Sequence, residues 1–234
     1  MYSLKYRKTP PHFIDLNYSN QFSEVKRLFA DVEFGCIFDV GANIGQSIDD
    51  LKTLSRQAII HSFEPSPSAY RRLSMKYSKR KDIILNNVAL SNQAARLLFN
   101  EDDISTMNRL SSSGTIEVEC TTLDSYCDKH KIKKLSYLKV DTEGNELKVL
   151  EGGCRIIAST DFIELEASMN PYNNYHQSYS ALSSFLFDRD FFLFGIFGQT
   201  HEWGGGGSPI IRRVNPVFVH QRVFGRIPTG AIIK

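Results

Sequence analysis

The chain has 234 residues, of which 41% are hydrophobic and 23% charged, with a formal net charge of +2. That length accommodates one sizeable α/β domain and is short for two, and the composition excludes a disordered or collagen-like chain. A charge so near balance argues against general attraction to nucleic acid or to a membrane surface, and neither is an expected partner.

No apolar run approaches the roughly 20 residues needed to span a bilayer. The start, Met1 to Lys8, is polar and basic and lacks the apolar stretch of a signal peptide. Cys36, Cys120, Cys127 and Cys154 form no C-x-x-C pair and have no histidine at zinc spacing. They read as free thiols, and the expected location is the cytoplasm.

Residues 1–33 read as an N-terminal segment and helix packing on a single domain over 34–234. Pro10-Pro11 stops regular structure. Phe22, Val25, Leu28 and Phe29 then recur at helical spacing, with Ser19 or Asn20 available as N-cap. Cys36 to Val40 is a short apolar strand. Gly41 and Gly45 open a tight turn, and Gln46 to Ser55 is a helix. Ile59 to Phe63 is the second strand, ending on Glu64. Pro67 to Lys79 is a helix entered through prolines. Ile83 to Leu90 reads as one strand and Leu97 to Asn100 as an edge strand.

Residues 101–114 are polar, and Ser111-Ser112-Ser113-Gly114 reads as a loop. Glu117 to Thr121 alternates, Leu123 to Lys131 is helical, and Tyr137 to Val140 is an apolar strand ending on Asp141. A helix from Glu146 stops at Gly152-Gly153. Phe162 to Leu165 is a strand, Tyr179 to Phe187 a helix, and Phe191 to Phe197 with Val217 to Val219 an antiparallel closing pair. The four glycines Gly204 to Gly207 read as a hairpin loop or as a lid whose neighbours, His201 and Trp203, meet a substrate. Strand–helix alternation followed by a closing pair predicts one doubly wound α/β domain.

The run Phe38-Asp39-Val40-Gly41-Ala42-Asn43-Ile44-Gly45 carries the strongest chemical signal. Glu64 follows Gly41 by 23 positions, near the spacing at which a carboxylate on the second strand holds ribose hydroxyls. A dinucleotide site needs G-x-G-x-x-G to seat its pyrophosphate, and that pattern is missing. Asp39, just before the turn, repels a pyrophosphate and suits a ligand with a cationic end. S-adenosyl-L-methionine (SAM), with a sulfonium and an ammonium, meets that description. An NAD oxidoreductase and a non-catalytic SAM-binding module stand as the competing readings.

Four segments occur in order: FDVGANIG at 38–45, FEPSP at 63–67, NNVALS at 86–91 and LKVDTEGNELKVLEGG at 138–153. With CTTLDSY at 120–126, LFGIFGQ at 193–199 and RRVNPVFV at 212–219, the set resembles the FkbM family of SAM-dependent methyltransferases over roughly residues 35–220. The resemblance implies a seven-stranded, mostly parallel sheet with helices on both faces and the last strands antiparallel. It also implies O-methylation of a hydroxyl, typically on a sugar, in glycan or secondary-metabolite biosynthesis; a non-sugar natural product is the alternative acceptor. By position, Asp39, Gly41, Ala42, Asn43, Gly45 and Ser47 would line the methionine end of SAM. Glu64 and Pro65 would lie at the ribose, and Asn87, Val88 and Ala89 at the adenine.

Asp141 and Glu143 would stand beside cofactor and acceptor. A sugar hydroxyl needs a base or a metal to take up its proton. Asp141 is the first candidate base, with a cofactor contact as its alternative. Glu143 could position the acceptor, ligate a metal or cap the following helix. Asp141, Glu143, Glu166 and Asn170 make an oxygen-rich set suited to a divalent cation such as magnesium. His176 and His201 are alternative bases. Asn170, Tyr172, His201 and Trp203 are the candidate acceptor contacts, aromatic rings being suited to sugar faces. His61 reads as structural.

Overall fold

The computed structural model describes residues 20–101, 108–173, 175–202 and 210–224. Most of the N-terminal segment, Trp203 and the four glycines therefore lie outside the described residues. Helix α1 (Gln21–Leu28) begins where expected, with Asn20 Oδ1 accepting from Ser23 N at 2.8 Å. Strand β1 (Cys36–Val40) leads through the glycine turn to α2 (Ile48–Leu54). This helix starts two residues later than Gln46, because Ser47 turns its hydroxyl back to Asp39 instead of capping. Next come β2 (Ile59–Phe63), α3 (Pro67–Tyr77) and β3 (Ile83–Asn86). Pro67 sits at the first turn of α3, where a missing N–H costs nothing, and Ser66 caps Ala69 N.

The single strand expected over Ile83 to Leu90 is two. The chain leaves the sheet after Asn86, where the Asn87 amide donates to the carbonyls of Glu64 (2.8 Å) and Pro65 (3.1 Å). Ala89–Leu90 (β4) then joins β5 (Ala95–Asn100), β6 (Arg109–Leu110) and β7 (Ile116–Thr121) in a separate four-stranded sheet ordered β4-β7-β5-β6. Ala89, Phe99, Val118 and Cys120 form its own small core.

The chain returns through α4 (Leu123–His130) to β8 (Leu135–Val140), α5 (Glu146–Glu151), α6 (Cys154–Ile157), β9 (Thr160–Leu165) and β10 (Ala167–Ser168). Helix α7 (Tyr179–Phe187), β11 (Phe191–Glu202), β12 (Ile210–His220) and α8 (Gln221–Phe224) complete it. The main sheet runs β12-β9-β8-β1-β2-β3, with β11 on the outer side of β12. Strand β10 continues from β9 along the inner side of β12, so the sheet is seven positions wide, as expected. Pairs among β3, β2, β1, β8 and β9 are parallel, and β12 runs antiparallel to its neighbours. The closing strands are longer than the sequence indicated, and register shifts interrupt their pairing between Leu193 and His201.

Two apolar layers flank this sheet. Phe22, Leu51, Leu54, Leu73 and Tyr77 bring α1–α3 onto Ile37, Ile60 and Tyr137. Leu123, Leu150, Ile157 and Leu182 bring α4–α7 onto Phe38, Leu138 and Ile163. Covering both faces explains why β8 and β9 are buried at every position. All four cysteines are free thiols. Among the described residues, no helix is long and apolar enough to cross a membrane.

Candidate active site

A cavity of about 380 Å³ opens at the carboxyl ends of β1, β2 and β8, where ligands of doubly wound sheets bind. Gly41, Asn43, Ser47, Glu64 and Pro65 line one side. Val88, Ala89, Leu90, Phe99 and Leu110 bring the second sheet over it, and Asp141 and Glu143 stand at the end of β8. Arg213 and Asn215 reach in from β12.

The glycine turn is dictated by its neighbours. Gly41 has φ +83°, and a Cβ there would overlap the carbonyl oxygen of Asp141. The N–H groups of Gly41 and Ala42 both donate to Phe63 O at 3.0 Å. Asn43, at φ 49°, then directs its N–H onto Glu64 Oε2 at 2.8 Å. Ser66 N donates to Glu64 Oε1, also at 2.8 Å. Each oxygen thus spends one lone pair on the backbone and retains another for a ligand hydroxyl. Burial pushes the Glu64 carboxyl up to about 7, against the pull of those two N–H groups.

Beneath the cavity runs a charged row. Asp39, Lys139 and Glu164 are register partners on three adjacent strands, so their side chains share one face of the sheet. Lys139 Nζ lies 3.0 Å from Asp141 Oδ2 and 3.9 Å from Asp39 Oδ1. Ser47 Oγ reaches both oxygens of Asp39 at 3.0 Å. Glu164 accepts from Tyr137 OH at 2.7 Å and from Gln21 Nε2 at 2.9 Å. Burial raises the Asp39 and Glu164 carboxyls above their ordinary values, with Lys139 opposing. Burial by itself would lower the Lys139 ammonium, but Asp141, Asp39 and Glu164 outweigh it and hold it above its usual range.

Glu143 sits at φ 53°, an uncommon conformation for a side-chain-bearing residue. The turn that holds it is built on Glu146, whose Oε1 accepts from Thr142 N (2.9 Å), Thr142 Oγ1 (3.0 Å) and Gly144 N (3.1 Å). Glu146 thus braces the turn before α5, where neither it nor Glu143 makes an N-cap bond, and burial pushes its carboxyl up to about 7. Glu143 is free to face His176, whose Nε2 lies 3.0 Å from Glu143 Oε2 and 3.1 Å from Glu166 Oε2. Arg213 Nη1 pairs with the other oxygen of Glu166.

Glu143 first, then Glu166, raise the His176 imidazole to about 9. Asn173 Oδ1 is held by the N–H groups of Tyr175 (2.8 Å) and His176 (3.3 Å), so its NH2 faces His176 Nδ1 at 3.1 Å. The Asn173 amide thus meets Nδ1, while both carboxylates lie at Nε2.

Several sequence candidates stand away from the cavity wall. Asp39 is fully buried behind Ser47 and Lys139 and does not line the cavity, nor do Ala42, Gly45 and Asn87. His176 has both nitrogens engaged and does not line the cavity; it stands behind Glu143 and, through Glu166, behind Arg213. Asn170 Oδ1 accepts from Tyr172 N at 3.0 Å, and the Tyr172 side chain is exposed. His201 is exposed on β11 away from the cavity. The candidate metal set also rearranges: Asp141 turns to Lys139, and the residues that converge are Glu143, Glu166 and His176. His61 is structural, donating or accepting at Tyr126 OH over 2.8 Å, with burial lowering it to about 4.

Lys139, Glu164, Arg213, Asn215 and Asn108 line the cavity without having been singled out in the sequence. Lys139 and Glu164 left a legible sign, since charged residues inside apolar strands are seldom buried unpaired. Arg213 left none, because its place depends on the antiparallel register of β12.

The chain is thus a doubly wound α/β domain with a carboxylate-lined cavity at its glycine turn. The chain belongs to the methyltransferase FkbM domain family, whose model matches residues 39–193. A curated relative, hexuronic acid methyltransferase AglP of Haloferax volcanii, is 26% identical over 58% of this chain and 57% of its own length. Another, 2-O-methyltransferase NoeI of Sinorhizobium fredii, is 28% identical over 56% of this chain and 63% of its own. The matches thus span about three-fifths of those relatives. Among solved structures, Aeropyrum pernix fibrillarin with natively bound SAM is 11% identical, covering 80% of this chain and 67% of that one with a TM-score of 0.48.

Proposed function

We propose that the protein is a SAM-dependent O-methyltransferase acting on a sugar hydroxyl. The observation that carries this reading is the charge of the cavity. Among the described residues, Asp50, Glu64, Asp141, Glu143 and Glu164 line it against Lys139 and Arg213. Such a wall attracts the sulfonium and ammonium of SAM and repels a dinucleotide pyrophosphate. Family membership supports the reaction, and the relative named for hexuronic acid supports a sugar as acceptor.

In this reading, Glu64 takes the ribose hydroxyls on its free lone pairs, and Val88 to Leu90 with Phe99 give the adenine an apolar wall. The cavity would have to hold the acceptor oxygen in line with the methyl group to be transferred. SAM, when bound, would supply the methyl group for the new O–C bond and keep the C–S electron pair as S-adenosylhomocysteine. The hydroxyl proton passes to Asp141 or Glu143, the two carboxylates at the end of β8.

Calorimetric titration with SAM and with NAD tests the cofactor, and Glu64→Gln tests the site. The expected result is micromolar SAM binding, no NAD binding, and a loss on the order of 1.5–3 kcal/mol in the variant for its charge-assisted bonds. The SAM affinity of the natural protein should fall as pH drops through about 7, where Glu64 gains its proton. Binding of NAD alone overturns the reading. Incubation with SAM and free uronic acids, followed by mass spectrometry, then reads out the acceptor.

A further inference from the structure

We propose that Glu143, Glu166 and His176 bind one divalent transition-metal cation at the edge of the cavity. This rests on the reading of the cavity as a methyl-transfer site and assigns that site a Lewis acid. Three donor atoms of mixed chemistry, two carboxylate oxygens and an imidazole nitrogen, lie within 4.8 Å of one another. Metal–ligand bonds of about 2.1 Å at right angles place neighbouring donors about 3.0 Å apart. The spacings from His176 Nε2 are 3.0 and 3.1 Å.

An independent observation concerns Glu166. Glu166 is 4% exposed, and the group facing its Oε2, His176 Nε2 at 3.1 Å, falls short of a well-aligned hydrogen bond. One hydrogen on His176 Nε2 cannot align with both carboxylates that crowd it at 3.0 and 3.1 Å, so one buried oxygen is poorly served. Leaving such an atom unpaired is costly. A cation in place of that hydrogen satisfies all three donors at once.

Charge agrees. Two carboxylates against Arg213 leave the cluster one negative charge with a neutral imidazole, and a divalent ion brings it to one positive. Arg213 stays on Glu166 Oε1, so Glu166 binds through Oε2 alone. The imidazole hydrogen moves to Nδ1, and Asn173 must turn its amide oxygen toward it. The imidazole favours iron or zinc over magnesium, and the two carboxylates also suit manganese, while magnesium sheds its water reluctantly. Three protein ligands leave open positions, and Glu143 lines the cavity, so an acceptor hydroxyl can reach the ion and be polarised.

The test is a titration of the EDTA-stripped full chain with Mn2+, followed by calorimetry and electron paramagnetic resonance. One saturable Mn2+ per chain is expected, with nitrogen coupling in the electron spin-echo spectrum. His176→Gln should remove that coupling and weaken binding at least tenfold, and Glu166→Gln should weaken it at least tenfold. Circular dichroism establishes folding of each variant; where Glu166→Gln fails to fold, the partly exposed Glu143→Gln replaces it. No saturable binding, binding unchanged in folded variants, or an absent nitrogen coupling overturns the proposal. SAM titrated into the stripped protein keeps the two readings separate: SAM bound without Mn2+ sites retires the metal alone, while failure of SAM retires the cofactor reading whatever Mn2+ does.

Discussion

Lys139 is the residue on which the cavity floor balances. It is 8% exposed and the cation nearest three carboxylates, two of them fully or almost fully buried. Replacing one partner of a buried charged set leaves the others uncompensated, which costs about 3–5 kcal/mol. Lys139→Met should therefore destabilise the protein by that order in urea unfolding. A loss under 1 kcal/mol would mean that Asp39 and Glu164 take up protons at little cost. The same residue marks how far the sequence could be read. Gly41 and Glu64 were legible as cavity-lining residues because a strand, a turn and a second strand fix their relation locally, whereas Asp39 lies one layer beneath. Lys139 lay inside the family block yet passed as part of an apolar strand. Its meaning appears only when β1, β8 and β9 align in register.

At the scale of elements, two segments lock together. Gly144 has φ +108°, and a Cβ there would overlap the carbonyl oxygen of Tyr175. Gln177 Nε2 returns a hydrogen bond to Gly144 O at 2.8 Å. The turn bearing Glu143 and the segment bearing His176 thus hold each other. Gly144→Ala should push them apart while leaving the sheet intact. The expected signature is faster amide exchange at 142–146 and 175–178 with the β8 and β9 amides still protected; uniform exchange throughout would show that the contact supports the whole fold. Helix starts and parallel strands were readable from caps, prolines and apolar runs. The second sheet was not, because two-residue strands such as β4 and β6 carry no periodicity. The reach of Arg213 to Glu166 joins residues 47 apart in sequence and is set by long-range pairing alone.

For the whole molecule, the buried carboxyls make stability depend on pH in a definite direction. Glu64 and Glu146 are both raised to about 7 from 4.5 by burial. Between those values the folded chain keeps two protons that the unfolded chain has released. Stability therefore falls as pH rises through that window, by roughly 3 kcal/mol for each group at 1.36 kcal/mol per unit. Urea midpoints should be higher at pH 5 than at pH 7.5, and Glu64→Gln with Glu146→Gln should flatten the difference. Equal midpoints in the natural protein would refute the burial argument. The ionised Glu64 that suits a ribose is thus the form that the fold itself disfavours.

The departure of the chain from the main sheet at Asn87 separates two kinds of inheritance. The floor shares its hydrogen-bond register with five parallel strands, and a one-residue slip there would turn every side chain to the opposite face. The wall formed by Leu90, Phe99 and Leu110 belongs to a ladder of its own, so hairpins there can lengthen and side chains can be exchanged without disturbing that register. Descendants of one ancestor can keep a common floor and diverge in what they hold against it.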